Sequence, residues 1–131
     1  MNSETIDNVA TITLLENNIL KIKFLKGSSI DVKESETIIE LSSKIANNKL
    51  HANLVDTSEM MFMSRMARAN FAKQDKSDVV AIAVVINSKM QSILGNMYLS
   101  INKPVITTKL FDNYTDAENW LETKFSEKEL N

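Results

Sequence analysis

Short apolar runs alternate with amphipathic helical patterns along this 131-residue chain, and that alternation restricts the fold more than any other feature. The clearest run is Val79 to Ile86, VVAIAVVI, with no polar break. Side chains on a strand point alternately to opposite faces, so a run apolar at every position suits a strand covered on both sides. Such strands lie inside parallel sheets, where neighbours need a crossover that is usually helical. A helical pattern follows each apolar run. The expected fold is α/β: an N-terminal β-hairpin followed by β-α repeats, forming a mixed, mostly parallel five-stranded sheet with four helices.

Val9 to Leu15 and Ile19 to Leu25 read as the hairpin, joined by Glu16, Asn17 and Asn18, because asparagine tolerates left-handed backbone. On its second strand Ile19, Lys21, Lys23 and Leu25 take one face, and Leu20, Ile22 and Phe24 the other. Asp31 with Glu34 has the spacing of a capping box, and Ile38, Leu41 and Ile45 follow at helical spacing. Leu50 to Asp56 reads as the next strand. Ser64 to Lys73 reads as a second helix, with Met63, Met66, Ala67 and Phe71 on its buried side. After the Val79 strand, Asn87 and Ser88 offer caps for a third helix. Its apolar stripe, Met90, Ile93, Leu94, Met97 and Ile101, has a period of 3.6. Gly95 interrupts that helix at a cost of about 1 kcal/mol against alanine, which close packing would offset. Pro104 marks the start of a last strand, Val105 to Phe111. Thr115 and Glu118 predict a capping box for a final helix with Ala117, Trp120, Leu121 and Phe125 inside. One domain is expected over residues 1–131, with 1–6 and 127–131 frayed.

Composition removes several function classes. There is no cysteine, and His51 is the single histidine, so thiol chemistry and histidine-rich metal sites are excluded within one protomer. A net charge of −2 and a pI near 5.4 oppose a dedicated nucleic-acid binder. The longest apolar run is far short of the ~20 residues a membrane helix needs. The first residues, MNSETIDN, are too polar and acidic for a signal peptide. A cytoplasmic protein without cofactor, nucleic acid or membrane span is expected.

Two stretches carry a family resemblance: LHANLVDTSEMMFMSRMARANFA at Leu50 to Ala72, and SKMQSILGNMYLSINKPVITTKLFDNYTDAENWL at Ser88 to Leu121. The second is the more specific, with its Lys-Pro strand start and a Leu-Phe strand end before an Ala-x-x-Trp-Leu helix. Together they resemble the STAS, or anti-sigma-factor-antagonist-like, superfamily. The closer similarity is to its uncharacterised bacterial branch, which is also compared with lipid-binding Sec14-like domains. The resemblance implies a regulatory module rather than an enzyme. Anti-sigma-factor antagonists carry a phosphorylatable serine in a D-S-S-G-like loop. Aligned on Asp56 and Phe62, Ser64 falls where that motif has its aspartate, and the acceptor falls on Arg65 or Met66. The family's phosphoswitch is therefore not expected, although a shift of register would put Ser64 in the acceptor role.

The sequence offers one candidate segment, Asp56 to Arg68. Ser64, Arg65 and Arg68 open a helix, where free N–H groups favour an anion, and the chain's only two arginines add charge-assisted hydrogen bonds. With Asp56 they form the candidate anion or partner surface. The plainer alternative is that Ser64 only caps the helix, the arginines are solvated or paired, and Asp56 closes a turn. Met60, Phe62, Met63 and Met66 form a candidate apolar patch, since methionine adapts to varied partners. Its alternative is gap-filling under a loop. The leading functional expectation is a non-enzymatic binding or regulatory module acting through protein partners, or as a homodimer associating through the third helix or an open sheet edge. The alternative is a carrier or sensor of a small lipophilic or anionic ligand. An enclosed apolar cavity at Met60 to Met66 would favour the ligand, and an exposed apolar patch would favour a partner.

Overall fold

The computed structural model describes residues 3–130. The elements in chain order are β1 (Ser3–Ile6), β2 (Ala10–Leu14), β3 (Ile19–Phe24), β4 (Ser29–Ile30), α1 (Val32–Ala46), β5 (His51–Asp56), β6 (Phe62–Met63), α2 (Arg65–Ala72), β7 (Val79–Val85), α3 (Lys89–Met97), a π-helical turn (Tyr98–Asn102), β8 (Thr108–Phe111) and α4 (Tyr114–Leu130). The main sheet has the order β1-β2-β3-β5-β7-β8. Its first two pairings are antiparallel, and the three from β3 to β8 are parallel. β4 and β6 form a separate parallel pair. The mixed α/β architecture with four helices is therefore the expected one.

The main sheet has six strands rather than the five expected. The sixth is β1, at Ser3–Ile6, where a frayed end is expected. Its side chains are mostly exposed, so the segment has no hydrophobic alternation to betray it. It is held by the backbone ladder and by hydroxyl pairs across the strands, Ser3 Oγ to Thr13 Oγ1 at 3.0 Å among them. At the other end α4 continues to Leu130. Met1, Asn2 and Asn131, also expected to fray, lie outside the described residues.

With only two glycines, the chain turns on asparagine. Asn8, Asn18, Asn47 and Asn48 all adopt positive φ, which asparagine tolerates better than most residues. Asn18 closes the β2–β3 hairpin, and Asn47 and Asn48 end α1. The Asp31–Glu34 capping box forms as expected. The one expected at Thr115 and Glu118 does not. α4 begins at Tyr114, and Asn113 Oδ1 accepts from the Asp116 N–H at 2.8 Å instead. β8 begins at Thr108, three residues later than expected, because Lys103 takes a left-handed conformation before Pro104 and Val105 N–H donates to Ala72 O.

The faces of β3 divide as its alternation predicts. Leu20, Ile22 and Phe24 join Ile12, Ile30, Ile38 and Ala67 in a core under α1 and α2. Ile19 lies on the opposite side, in a core with Leu54, Ala81, Ala83, Ala117 and Leu121 beneath α4. Ala81 and Ala83 are fully buried, and their small size lets α4 approach the sheet closely.

α3 departs from expectation. Phe111 packs towards Trp120 and α4, so its neighbour Leu110 points to the opposite face, where α3 lies. Gly95 rests there on Leu110: a Cβ on this glycine would stand 2.7 Å from Leu110 Cδ1. Close packing accounts for the glycine. None of the residues of α3 is buried. Met90, Ile93, Leu94, Met97 and Ile101, the stripe that resembles a core face, point outward, with Met90 at 64% and Ile101 at 68% exposure. Gln91, Ser92 and Gly95 are the half-buried side.

This arrangement predicts a hydrogen-exchange pattern. Amides of Leu54 to Asp56 and Ala81 to Val85, in strands flanked on both sides, should exchange slowest. Those of Met90 to Met97 should exchange much faster, despite being helical. Comparable protection in α3 and β7, measured by mass spectrometry, would contradict the outward placement of α3.

Candidate functional site

Asp56 ends β5 at the carboxyl edge of the parallel strands, where open α/β sheets present ligand-facing residues. It is not a surface group, contrary to expectation: its exposure is 3%. Its carboxylate accepts from Ser58 N–H at 2.9 Å, from Ser58 Oγ at 2.6 Å and from the Tyr114 hydroxyl. Burial pushes the acid up and is the largest single influence. The hydrogen bonds from Ser58 and Tyr114 and the charge of Lys23 together outweigh it and hold Asp56 below its ordinary value. Burial and the neighbouring carboxylate push the Tyr114 hydroxyl well above its ordinary value. Lys21 Nζ lies 4.8 Å from the centre of the Tyr114 ring. The result is a neutral phenol donating to an ionised acid, a bond that pins the start of α4 to the end of β5.

Ser64 caps α2 as predicted, its Oγ accepting from Ala67 N–H at 3.1 Å. The same hydroxyl donates to Asp31 Oδ1 at 2.8 Å. Asp31 itself caps α1, so one hydrogen bond ties the N-termini of two helices together. That bond, followed by the Val32 backbone N–H, holds Asp31 below its ordinary value. A carboxylate of the protein thus already stands at the α2 N-terminus. Arg68 is half-buried and donates from Nη1 to Met63 O at 2.6 Å. Arg65 is exposed. The structure brings Ser64 together with Asp31 rather than with Asp56, and it commits Arg68 to the loop backbone. Of the four charged or polar candidates, Arg65 alone is a free-standing surface group.

The methionine-rich segment divides in two. Met60 and Met63 pack against the core under α1 and α2. Met61, Phe62 and Met66 are exposed, Met66 at 67% although the helical pattern places it inside. The short α2, opened by Ser64, turns Ala67 inward in its stead.

The loop and helix that carry this group are tied to α3 and to the turn after it. Gln91 Nε2 donates to the carbonyls of Thr57 and Ser58, each at 3.1 Å, tying the first turn of α3 to the loop that leads into α2. At the other end α2 packs on the π-helical turn, and Val105 N–H reaches Ala72 O at 2.9 Å. The outward residues of α2 and α3 therefore belong to one side of the molecule. Met90, Ile93, Leu94, Met97 and Ile101 are the largest apolar group in it. The period of 3.6 locates this stripe but not its direction; Gly95, seated on Leu110, shows that the opposite side of the helix meets the sheet.

Two open grooves lie elsewhere. One, of about 470 Å³, runs between α1 and α2 and includes Glu36, Glu40, Asn70 and Lys76. The other, of about 730 Å³, lies between α3 and β8 and includes Lys89, Asn96, Leu110 and Asp112. Neither is lined by Met60 to Met66. His51 is a buried structural residue whose Nδ1 stands 2.7 Å from Lys49 O. A carbonyl only accepts, so Nδ1 carries the proton. Among the described residues no three His, Asp or Glu side chains are grouped to hold a metal. No described helix is long and apolar enough to cross a membrane.

A family model described as "Domain of unknown function (DUF7793)" matches residues 13–124. No curated protein matches the chain. Among solved structures, the chain is similar to an uncharacterized protein of the DUF3478 family with a SpoIIAA-like fold from Shewanella loihica PV-4. The identity is 16% and the TM-score 0.62, over 91% of this chain and 98% of that one. It also aligns with a protein of unknown function from Arthrobacter sp. FB24 at 25% identity and a TM-score of 0.34, over 85% of this chain and 97% of that one. The likeness to the Shewanella protein shows a SpoIIAA-like, that is STAS-like, fold.

Two substitutions check this geometry. Tyr114→Phe removes a hydrogen bond to a buried carboxylate and should cost about 1.5–3 kcal/mol at neutral pH in urea denaturation. Because Asp56 titrates below its unfolded value of 3.8, the stability it contributes is complete above that pH and is lost as pH falls through the folded value. The gap between the two proteins should therefore narrow at pH below 3.8. A constant gap would mean that the carboxylate is not the partner. Separately, Ser64→Ala should cost about 1 kcal/mol as a lost cap and let the Asp31 pKa, followed by NMR, rise towards its ordinary value. An unmoved Asp31 would show that the two caps are not coupled.

Proposed function

The chain belongs to the DUF7793 family and has a SpoIIAA-like fold; on that premise we propose that it is a non-enzymatic binding or regulatory module acting through a protein partner. The observation that carries this reading is the outward apolar stripe of α3. Five large apolar side chains at i, i+3, i+4, i+7 and i+11 stand 48–68% exposed, four on α3 and Ile101 on the π-helical turn that continues it. Single exposed apolar residues need no explanation, but a contiguous group of this kind marks an interaction site. The reading also draws on how α3 is held. Its polar side chain Gln91 and its glycine face the protein, so the apolar side is the one left for a partner. Met61, Phe62 and Met66 extend the surface with soft, adaptable contacts. In this reading Asp56, Tyr114 and Ser64 hold the scaffold, and Arg65 borders the surface. A cytoplasmic location belongs to the same proposal.

The alternative of a small lipophilic or anionic ligand has less support. Drug-sized ligands are held in pockets that bury most of their surface, and the two grooves are open and away from the methionine-rich segment.

Site-specific photo-crosslinking in the native host tests the proposal. A photoreactive residue at Ile93 or Met97 should give a discrete protein adduct that Ile101→Glu abolishes. The same probe at Glu122, exposed on α4, should give none. Because Ile101 is 68% exposed, that substitution should change stability by no more than about 0.5 kcal/mol. Adducts from Glu122 but not from α3 would place the partner surface elsewhere.

A further inference from the structure

We infer that the partner segment covering α3 is an amphipathic helix that carries carboxylates beside its apolar stripe. This deepens, and rests on, the reading of α3 as a partner surface.

The first ground is charge. Lysines look scattered along the sequence, but the elements sort them. Between Met60 and Phe111 the chain has seven basic residues and two acidic ones, Asp75 and Asp78, both in the turn between α2 and β7. The remaining residues carry eight basic and fifteen acidic side chains. From Val79 to Phe111, a stretch that includes α3, the π-helical turn and β8, there is no acid at all. Lys89 and Lys103 stand exposed at the two ends of the apolar stripe, and Arg65 is exposed beside Met66 on α2; Lys109 shares the face of Phe111, over whose ring its Nζ lies, and stays outside this group. Among the described residues none of these three lies in a salt bridge. A chain of net charge −2 thus sets basic groups at both ends of its apolar stripe, with the acid Asp112 lining the groove beside Lys89. Complementary potential is what steers and selects a partner at such a rim.

The second ground is shape. The stripe follows α3 from Met90 to Met97, roughly 10 Å at 1.5 Å per residue, and ends at Ile101 in the π-helical turn. Anchors at i, i+3, i+4 and i+7 are those of helix-against-helix recognition, and a second helix laid along α3 would meet Lys89 at one end and Lys103 at the other.

The same observations argue against two other occupants. A second copy docking α3 on α3 would bring the lysine-framed faces together with no carboxylate between them, and like charges in apposition oppose association. The acidic α4 of another copy has the right charge, but Ala117 and Leu121 are buried against its own sheet, so it has no free apolar stripe to offer. A membrane surface is also a poor match. Interfacial helices carry their basic residues on the face opposite the apolar one, whereas that face of α3 is uncharged and turned inward through Gln91, Ser92 and Gly95.

The test uses the full chain and two synthetic peptides of about five helical turns. The peptides share one leucine stripe and differ only in flanks of glutamate or lysine. Binding is followed by fluorescence anisotropy and by the methyl resonances of Met90 and Met97. The glutamate peptide should bind about fivefold more tightly at low salt, since two or three exposed pairs each contribute a fraction of a tenfold step. That preference should shrink as salt is raised, and Lys89→Glu with Lys103→Glu should reverse it. Equal affinity for the two peptides at the α3 methyls would overturn the charge rule and leave α3 as the partner surface. Failure of both peptides to move those methyls would overturn this inference, and the crosslinks from Ile93 and Met97 would then judge the broader reading by themselves. Two other results would replace the helix as occupant. One is a doubling of mass abolished by Ile93→Glu. The other is α3-dependent binding to phosphatidylcholine–phosphatidylglycerol vesicles with neither peptide bound. Far-UV circular dichroism of the double variant must match the parent, as expected for two exposed lysines.

Discussion

A buried carboxylate at the end of β5 holds the carboxyl edge of this sheet together. Leaving a charge like that of Asp56 without partners would cost several kcal/mol, and the fold meets the requirement from two directions. Ser58 supplies a backbone N–H and a hydroxyl from the next turn, and Tyr114 supplies a phenol from the first turn of α4, far along the chain. Satisfying Asp56 therefore sets the geometry of the loop after β5 and the entry of α4 together. Thr57 adds to the same edge, with its N–H and its hydroxyl both directed at Val85 O, at the end of β7. Gln91 then anchors α3 to the carbonyls of Thr57 and Ser58. The placement of α3 thus follows from the placement of this turn.

That chain of contacts explains why an amphipathic helix lies with its apolar side outward. A helix is normally oriented by burial of its stripe, at about 25 cal/mol per Å² of apolar surface. In α3 the orienting contacts are the Gln91 amide on two carbonyls and the Gly95 backbone on Leu110. These are modest interactions, and they leave the helix without a buried residue of its own. The apolar surface foregone inside is present outside, beside the exposed Met61, Phe62 and Met66. Solvent exposure of so much soft apolar surface costs solubility, and the proposed partner surface would give a physical reason to keep it.

The second organising contact is smaller and works at the opposite helices. Asp31 and Ser64 cap α1 and α2 and also bond each other. Backbone pairing of β4 with β6 brings the two caps to the same place. The serine that resemblance sets near a phosphoswitch loop is here engaged twice, as acceptor from Ala67 and donor to Asp31. Phosphate there would face the Asp31 carboxylate, and like charges at hydrogen-bond range repel.

The sequence by itself determined the local elements, because period and capping chemistry are local. The alternation on β3, the Asp31–Glu34 box, the Ser64 cap and the uninterrupted Val79 run all stand where the residues put them. The resemblance carried by Leu50 to Ala72 and Ser88 to Leu121 extended that to the fold. What only the tertiary structure decided was direction and partnership. A period of 3.6 shows that a helix has a stripe, but not which way it points; that depends on what the opposite side can bond, here Gln91 and Gly95. Asp56 looks like a surface acid until Tyr114 is brought 58 residues back to it. β1 is invisible in hydropathy because its side chains stay in water and its backbone does the pairing. That Lys89 and Lys103 bracket an outward stripe emerges only once the helix is placed on the sheet, since charge in a linear sequence has sign and order but no geometry.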